Sequence, residues 1–292
     1  LLEIFPDFLL DLVAIGTIAD MVSITDENRI FVKQGLELLN EDPRIGLKML
    51  LELSSIDTKI DEQTVGFYIA PKLNSIGRMD SAKLGLTFLM AEDPVTAKSL
   101  AEQIEQYNIE RKKVTEDIVK DVINKIENSD KKEKNVIMVS GEYHEGVLGI
   151  VASNIVEKYQ KPVFIMNEKE GILKGSARSI FDFNIYTAMN KISDLFLAFG
   201  GHTLAAGFSF EQSNFEKIED FLDNEFEEFK QHNELKSSKN IDIVTSLEDI
   251  SYQLLTSLDV LKPYGMDFEK PSILIENAMV LNKAYFGSEK QY

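Results

Sequence analysis

The sequence predicts an α/β protein with a mostly helical first part, one long connecting helix, an α/β domain and the start of a further β fold. Three observations support this prediction. Apolar residues recur at helical spacing before residue 90, an unbroken helical pattern runs from Pro94 to about Glu127, and strand-like and helix-like segments alternate after Lys134. Hydrophobic residues make up 44% of the chain, which suffices for stable cores and excludes wholesale disorder.

The first part is predicted to contain several short helices. An apolar face between Phe8 and Ile15 marks the opening one. The remaining helices share apolar residues three or four positions apart and are expected at residues 27–39, at 45–53, between a cap at Asp61 and a stop at Pro71, and between a cap at Asp80 and Met90.

The pattern from Pro94 to Glu127 is longer than most helices of globular proteins. Pro94 suits a first helical turn, and apolar residues follow at spacings of three, four or seven. Charged residues, including the run Arg111–Lys113, fill the other faces. We interpret this helix as a connector between domains. The alternative is an amphipathic helix packed within one core.

The change of period after Lys134 predicts a domain with a central sheet. Strands are expected at residues 135–140, 162–166, 172–179 and 204–210, and helices at 147–159, 184–191 and 214–230. The polar segment QHNELKSSKN predicts a linker, and the apolar segments beyond it begin another unit.

The composition excludes several classes of protein. The chain has 31 basic and 49 acidic residues and a net charge of -18, which disfavours nonspecific nucleic-acid binding unless basic residues gather locally. It has no cysteine, which excludes disulfides and thiolate chemistry and fits a reducing compartment. No apolar run reaches the roughly 18 residues of a membrane helix, and the first residues lack the basic start of a signal peptide. We therefore predict a cytoplasmic protein without a membrane partner.

Five short segments are candidates for chemistry. In AIGTIADMV, Asp20 is a lone carboxylate after an apolar stretch, where it either holds a cation or is a helix-end residue bonded to backbone. In APKLNSIGRM, a proline and a glycine predict a turn from which Lys72, Asn74 and Arg78 project.

The other three segments belong to the predicted α/β domain. In GEYHEGVLGIV a glycine opens a helix, whose free N–H groups can bind an anion. There, His144 supplies either a proton-carrying group or a structural hydrogen bond. In KGSARS, strand alternation puts Ser176 and Arg178 on one face. In FGGHTLAAGF, paired glycines before His202 allow a ligand to approach the backbone.

Together and in this order, the five segments resemble the DHH phosphoesterase superfamily, and most closely its RecJ family of single-stranded-DNA-specific exonucleases. The later segment LKPYGMDFEKPSILIENAMV resembles the start of that family's oligonucleotide-binding fold. The likeness covers essentially the whole chain. It implies the C-terminal part of a DHH catalytic domain at residues 1–92, a connecting helix at 93–130, a DHH-associated α/β domain at 131–234 and an incomplete oligonucleotide-binding β fold at 235–292.

The resemblance also implies an activity. It implies a 5′-to-3′ exonuclease that hydrolyses single-stranded DNA in DNA repair and recombination, using Mn²⁺ or Mg²⁺, with single-stranded-DNA-binding protein as a candidate partner. Asp20 matches the last metal-binding Asp of the catalytic domain, and His202 matches the histidine of a Gly-Gly-His motif, so both are expected to be catalytic. The substrate-binding residues implied by the resemblance are Asn74, Arg78, His144, Ser176, Arg178, Gly200 and Gly201.

One departure from the family is large, because neither the Asp-His-His triplet nor the earlier Asp motifs occur in this sequence. We therefore expect that the parent chain begins upstream and that this chain alone is inactive, since Asp20 alone cannot hold a catalytic metal. Two alternatives stay open, a noncatalytic DNA-binding fragment and a DHH-family phosphodiesterase of short oligonucleotides. We also expect the chain to bind single-stranded DNA through a basic cleft containing Lys72, Arg78, Lys174 and Arg178.

Overall fold

The structure, a computed structural model, describes residues 7–79, 82–233, 240–279 and 281–284. Asp80, predicted as a helix cap, and much of the predicted linker lie outside the described residues. The chain divides into two compact units. The first comprises Leu1–Pro43, Lys59–Phe67 and Ser238–Tyr292, and the second comprises Arg44–Thr58 and Tyr68–Ser237. The boundaries of the four segments expected from the sequence stay a prediction.

Helices make up most of the chain before residue 130. They are α1 (Leu10–Ala19), α2 (Asp26–Glu41), α3 (Ile45–Leu53), α4 (Glu62–Thr64), α5 (Ala70–Met79), α6 (Lys83–Leu89) and α7 (Pro94–Glu127), with a π-helical turn at Val65–Ile69. The predictions for α3 and α7 are confirmed at both ends. Asp61 caps α4 as expected, because its Oδ1 accepts from the Thr64 N–H at 2.8 Å. Among the described helices, none is long and apolar enough to cross a bilayer.

Strands and helices alternate in the next part of the chain. The elements are β1 (Ile137–Gly141), α8 (Leu148–Tyr159), β2 (Val163–Lys169), β3 (Ile172–Arg178), α9 (Ile185–Asn190), β4 (Ala198–Gly201), β5 (Ala205–Glu211) and α10 (Phe215–His232). Five strands form one sheet in the order β1-β2-β3-β5-β4. β1 and β2 are parallel, and the other neighbours are antiparallel. The predicted α/β fold class is therefore confirmed.

The two faces of this sheet are covered differently. One face packs against α9 and α10 in a core that includes Phe164, Phe208 and Phe210. The other face packs against α7 and α8 over β1 and β2, where Val139 and Ile165 are buried, and α8 also reaches β3. Over β3, β5 and β4, the residues of this second face are exposed or half-buried. We call this part of the sheet, which carries Lys174, Ser176, Arg178, Ala205, Gly207, Ser209, Ala198 and Gly200, the open face.

The turn predicted for APKLNSIGRM is wrong, because these residues form α5. Pro71 lies in the first turn of α5, directly after the π-helical turn Val65–Ile69. A proline lacks the N–H that an α-helix needs at an interior position, but it is tolerated in a first turn. The widened π turn therefore allows the chain to enter α5 without a break.

A polar network around the buried Tyr143 connects α7 to the loop after β1. The hydroxyl of Tyr143 donates to the Asp121 carboxylate at 2.5 Å and accepts from Lys125 Nζ at 2.8 Å. Lys125 also lies over the Tyr143 ring, 4.9 Å from its centroid. Burial, and then the bond to Asp121, raise the pKa of Tyr143 to about 12. Burial and a bond to Glu127 do the same for Tyr159, whose pKa is also about 12.

Alkaline titration should reveal these two tyrosines. In the folded protein Tyr143 and Tyr159 should ionise near pH 12, about two units above an unfolded tyrosine. Since the folded pKa values are raised, their contribution to stability is complete below pH 10 and is lost as the pH rises towards 12. Tyrosinate absorbance measures this, with Tyr143→Phe and Tyr159→Phe as controls. If each variant kept the full absorbance change near pH 12, the assignment of these pKa values to Tyr143 and Tyr159 would be wrong.

The first compact unit is organised around α1 and α2. A Cβ built on Gly35 would lie 2.1 Å from the Leu10 carbonyl oxygen, so only glycine allows the two helices to pack this closely. Arg29 of α2 donates from Nη1 to the Pro263 carbonyl at 2.8 Å and lies 4.0 Å over the Phe268 ring. The remaining described elements are β6 (Ile243–Thr245), α11 (Tyr252–Asp259) and β7 (Ile273–Ile275), and β6 pairs with β7 in parallel.

Candidate functional site

Ser176 and Arg178 lie together on the open face of β3, as strand alternation predicts. Nη1 of Arg178 donates to Ser176 Oγ at 3.1 Å and to the Ala177 carbonyl at 2.9 Å. Nη2 lies beside Gly149 in the first turn of α8, where an added Cβ would be 2.8 Å from it. Gly149 therefore leaves the room that the guanidinium occupies.

Arg78, in the last turn of α5, reaches the same end of α8. Its Nη1 donates to the Gly146 carbonyl at 3.0 Å. A Cβ on Gly146 would lie 2.2 Å from the Arg78 carbonyl oxygen, so α5 and the turn before α8 are in close contact. Asn74 and Arg78 are exposed and four residues apart, which places both on one face of α5.

A third arginine, Arg111 of α7, joins this cluster. Burial, and then the charge of Arg78, lower the pKa values of both Arg111 and Arg178. Within the described ranges, none of the three guanidiniums forms a salt bridge with a carboxylate. Three of the five arginines of the chain therefore gather without a carboxylate partner among the residues that the structure describes, an arrangement that attracts anions.

The sequence pattern did not indicate Arg111, because basic residues on a helix are typical of a solvated face. One signal was present. Asn108 interrupts the apolar stripe of α7 one turn before Arg111, and it is only 2% exposed. Its Oδ1 accepts from Arg111 Nη2 at 2.9 Å. A buried amide at such a position needs a hydrogen-bond partner, and that partner is the site arginine.

His144 is exposed and caps the 3₁₀ turn Glu145–Val147. Its Nδ1 accepts from the Gly146 N–H at 3.1 Å. A neutral imidazole that accepts at Nδ1 carries its proton on Nε2. The structure thus contains the structural hydrogen bond considered for His144 and leaves Nε2 as a donor.

In register with Ser176, β5 and β4 continue the open face with glycine backbone alone. Gly207 pairs with Ser176 on one side and with Gly200 on the other. A Cβ on Gly200 or Gly207 would meet nothing within 4 Å. Since neighbouring strands are about 4.8 Å apart, a strip roughly 10 Å wide extends from Ser176 to Gly200. His202 follows β4, is exposed, and donates its backbone N–H to the Ala205 carbonyl at 2.8 Å.

Gly201 differs from its neighbour Gly200. A Cβ on Gly201 would lie 2.3 Å from the Ala205 carbonyl oxygen and 2.6 Å from Ala206 Cα. Gly201 is therefore required by the packing of β4 against β5, whereas Gly200 presents unobstructed backbone to solvent. Of the paired glycines predicted to admit a ligand, only Gly200 has this geometry.

The expectation that Lys72 contributes to a basic cleft is wrong. Lys72 is 8% exposed, and its Nζ donates to Ser54 Oγ at 2.6 Å and forms an ion pair with Glu105. A spacing of two residues from Asn74 corresponds to about 200° around a helix, so the two side chains point to opposite sides. Lys174 is exposed on β3 and pairs with Glu145 at 2.6 Å.

Replacing Lys72 by methionine should leave the affinity for single-stranded DNA unchanged to within about twofold, because an ion-paired lysine adds little net charge to a cleft. Thermal stability should fall instead, since the change removes the contacts with Ser54 and Glu105. Fluorescence anisotropy and a melting curve of the same sample measure both. A large loss of affinity at normal stability would return Lys72 to the site.

Asp20 belongs to the first compact unit, whereas the arginine cluster belongs to the second. It is exposed at the end of α1, and its backbone N–H donates to the Gly16 carbonyl at 3.0 Å. A carboxylate at the negative end of a helix dipole gains from a nearby cation. Among the described residues, however, no three His, Asp or Glu side chains gather as a metal site. These residues therefore do not complete a site for a divalent ion.

Comparison with known proteins accounts for this architecture. Residues 133–228 match the DHHA1 domain, and residues 241–292 match the RecJ OB domain. The single-stranded-DNA-specific exonuclease RecJ of Bacillus subtilis (strain 168) is 36% identical over 295 residues, covering 100% of this chain and 38% of that protein. The chain belongs to the RecJ family.

Solved RecJ structures share the fold. RecJ from Thermus thermophilus in complex with Mg²⁺ matches with a TM-score of 0.81 and 28% identity, covering 91% of this chain and 41% of that one. The complex of the same protein with Mn²⁺ also matches with a TM-score of 0.81 and 28% identity. That match covers 91% of this chain and 39% of the Thermus chain. The resemblance to RecJ and the fold class are confirmed. The chain spans less than half the length of these relatives.

Proposed function

We propose that the protein is a RecJ-type exonuclease, which hydrolyses single-stranded DNA from its 5′ end in DNA repair and recombination, and that this chain supplies its phosphate-binding face. The observation that carries the proposal is the cluster of Arg78, Arg111 and Arg178. These guanidiniums have no carboxylate partner among the described residues, although the chain as a whole has a net charge of -18. A local positive site of this kind selects a strongly anionic ligand.

The open face suits the backbone of a single DNA strand. The Arg178 fork and the Ser176 hydroxyl donate to phosphate oxygens, and Arg78 approaches from α5. The strip from Gly207 to Gly200 lets a sugar and phosphate lie directly against the sheet. Asn74 and His144 Nε2 also belong to the substrate-binding residues. Gly201 contributes indirectly, because its close packing against β5 sets the position of β4. His202, at the end of the strip, is the catalytic donor, because a donor to the charge that develops on phosphorus accelerates the reaction.

Mn²⁺ or Mg²⁺ is the proposed cofactor of the whole protein, and the Thermus relative has been solved with each ion. A bound ion would activate the attacking water. Asp20 would provide one ligand, and the described residues supply no further cluster of ligands. The proposed partners are single-stranded DNA and a single-stranded-DNA-binding protein, and the proposed location is the cytoplasm, in keeping with the absence of cysteine.

Nuclease assays of two proteins test this proposal. The full-length protein should release nucleotides from 5′-labelled single-stranded DNA in Mn²⁺, and Asp20→Ala should abolish the release. The 292-residue chain should bind the same DNA without cleaving it, since one carboxylate does not hold a catalytic ion. If the chain alone released nucleotides and Asp20→Ala abolished this release, the chain would contain a complete metal site.

A substrate comparison separates the remaining candidates. The described residues lack a metal cluster, which favours a noncatalytic DNA-binding role for the chain in isolation. A phosphodiesterase of short oligonucleotides would instead cleave dinucleotides faster than long strands. Faster cleavage of dinucleotides by the full-length protein, or no cleavage of either substrate, would reject the exonuclease.

A further inference from the structure

Arg29, near the start of α2, is half-buried and holds the chain segment that precedes β7. Its Nη1 donates to the Pro263 carbonyl at 2.8 Å, its Nη2 donates to the Leu261 carbonyl, and the guanidinium lies over the Phe268 ring. Within the described ranges, Arg29 forms no salt bridge with a carboxylate. Its donors therefore serve neutral carbonyls of one bend, which a planar fork can reach together and an ammonium group cannot.

A second contact joins the same segment to the loop between α1 and α2. The N–H of the buried Ile24 donates to the Met266 carbonyl at 2.8 Å. Gly265 leaves room for this contact, because a Cβ there would lie 2.3 Å from Ile24 Cδ1. The segment 261–268 is thus fixed at two points, and we call the contacts of Ile24 and Arg29 with it the clamp.

The clamp connects the oligonucleotide-binding domain to the part of the chain that carries Asp20. Residues 241–292 match the RecJ OB domain, and the segment 261–268 lies inside this range, between α11 and β7. Ile24 and Arg29 follow Asp20 by four and nine residues, and all of these residues belong to the first compact unit. Because OB folds bind single strands, the clamp relates a strand-binding domain to the candidate catalytic carboxylate.

We propose that Arg29 is a positioning residue, which holds the oligonucleotide-binding domain in a fixed place relative to Asp20, so that a long single strand is presented for cleavage. The inference rests on the proposed function, which identifies the strand as the substrate. Arg29 acts through the backbone of the segment 261–268. A second binding site at a fixed place raises the effective concentration of the strand at the first one, and a loosely held site raises it less. A strand too short to contact both sites gains nothing from the clamp.

The first measurement compares a long and a short substrate of the full-length protein in Mn²⁺. Arg29→Met should lower kcat/KM for an oligo-dT of about 30 nucleotides at least fivefold. The loss should appear as a higher KM with little change in kcat, since it removes binding that the ground state and the transition state share. For a tetranucleotide, kcat/KM should stay within about twofold, because OB folds occupy about 4–16 nucleotides and four cannot fill both sites.

Two further variants control for charge and for geometry. Lys33 lies one turn further along α2 and is exposed. Lys33→Met removes the same charge outside the clamp and should change neither kcat/KM value by more than about twofold. Arg29→Lys keeps a cation near the Phe268 ring but loses the fork, so its long-strand value should lie between those of the wild type and Arg29→Met. If Arg29→Met does not fold, Arg29→Lys supports the same comparison, and its ratio of long-strand to short-strand kcat/KM should fall at least twofold.

Hydrogen exchange tests the clamp without the nuclease reaction. In Arg29→Met, backbone amides of residues 264–275 should exchange at least tenfold faster than in the wild type, because local opening of this segment no longer breaks the contacts of Arg29. Amides of α8 should exchange at the wild-type rate, since α8 belongs to the other compact unit. Unchanged exchange at residues 264–275 would show that Arg29 does not hold the segment and would reject the inference.

The combined outcomes separate the inference from the proposed function. A loss confined to the long strand, with faster exchange at residues 264–275, would support the positioning role of Arg29. Equal losses on both substrates would mean that Arg29 only stabilises the fold, and an unchanged long-strand kcat/KM would mean that the clamp does not serve cleavage. Either result would reject the inference while the function stands. A wild-type protein that cleaves neither substrate would reject the proposed function, and the positioning role with it.

Discussion

Replacing Arg178 by alanine is expected to weaken binding of single-stranded DNA by roughly 10- to 150-fold, equivalent to about 1.5–3 kcal/mol for a charge-assisted hydrogen bond. Arg178 is oriented by its bonds to Ser176 and to the Ala177 carbonyl, so its fork is fixed before the ligand arrives. A preorganised group loses little conformational entropy on binding, and this places the expected loss in the upper part of the range. Fluorescence anisotropy of a labelled strand measures the change.

Lys174→Ala is the matched control for this variant. Lys174 lies on the same strand and the same face as Arg178, but it is exposed and paired with Glu145. The sequence places Lys174 in the basic cleft, but its ion pair with Glu145 leaves little net charge there, so we expect the control to change affinity only slightly. Equal losses in the two variants would mean that the chain binds DNA through its general charge and would remove Arg178 from a specific site.

The second large effect is a contrast between two neighbouring glycines. Gly200→Val should leave the melting temperature unchanged, because the new side chain meets open space and a β-branched residue suits a strand. It should reduce DNA binding tenfold or more, since the side chain occupies the strip over which the strand lies. Gly201→Val should instead lower stability by about 1–3 kcal/mol, because its Cβ would overlap the backbone of β5.

Melting curves and anisotropy on both variants test the contrast. Gly200→Ala provides a graded control, because one methyl group fills less of the strip than a valine. If Gly200→Val bound DNA normally at an unchanged melting temperature, the strand would not contact β4. If Gly201→Val were as stable as the wild type, the close packing of β4 on β5 would be wrong.

Regular elements were predictable from the sequence because their signals are local. The proline and the aspartate before it set the start of α7, and the Asp93 side chain accepts from the Thr96 N–H at 2.7 Å. Strand alternation likewise placed Ser176 and Arg178 on one face of β3. Neither prediction needed knowledge of what each element packs against.

Two elements were missed because their signals depend on neighbours. Pro71 and Gly77 are typical of a turn, but the π-helical turn before α5 lets the helix accommodate the proline. β4 has only four residues, two of them glycines, which are depleted in strands. It forms because β5 offers a complete set of backbone partners, a condition that the four residues themselves do not reveal.

Site residues could be predicted from the sequence where polar residues interrupt an apolar or glycine-rich pattern. They could not be predicted where the packing of helices brings distant residues together. Arg111 and Lys72 both lie on charged helical segments. Packing makes the first a member of the arginine cluster and the second a partner of Glu105. Which face of α5 or α7 meets a neighbour is a tertiary property, and one sequence does not contain it.

Because α7 is one continuous helix, it restricts where residues can be inserted into or deleted from this protein. Its 34 residues extend over about 51 Å at 1.5 Å per residue. The earlier half packs against α3 and α5, and the later half, with Val122 and Ile126, packs against the sheet. A single inserted residue near Arg111 would rotate one half relative to the other by about 100°. Insertions and deletions should therefore be tolerated in the loops of the α/β region but excluded from the middle of this helix.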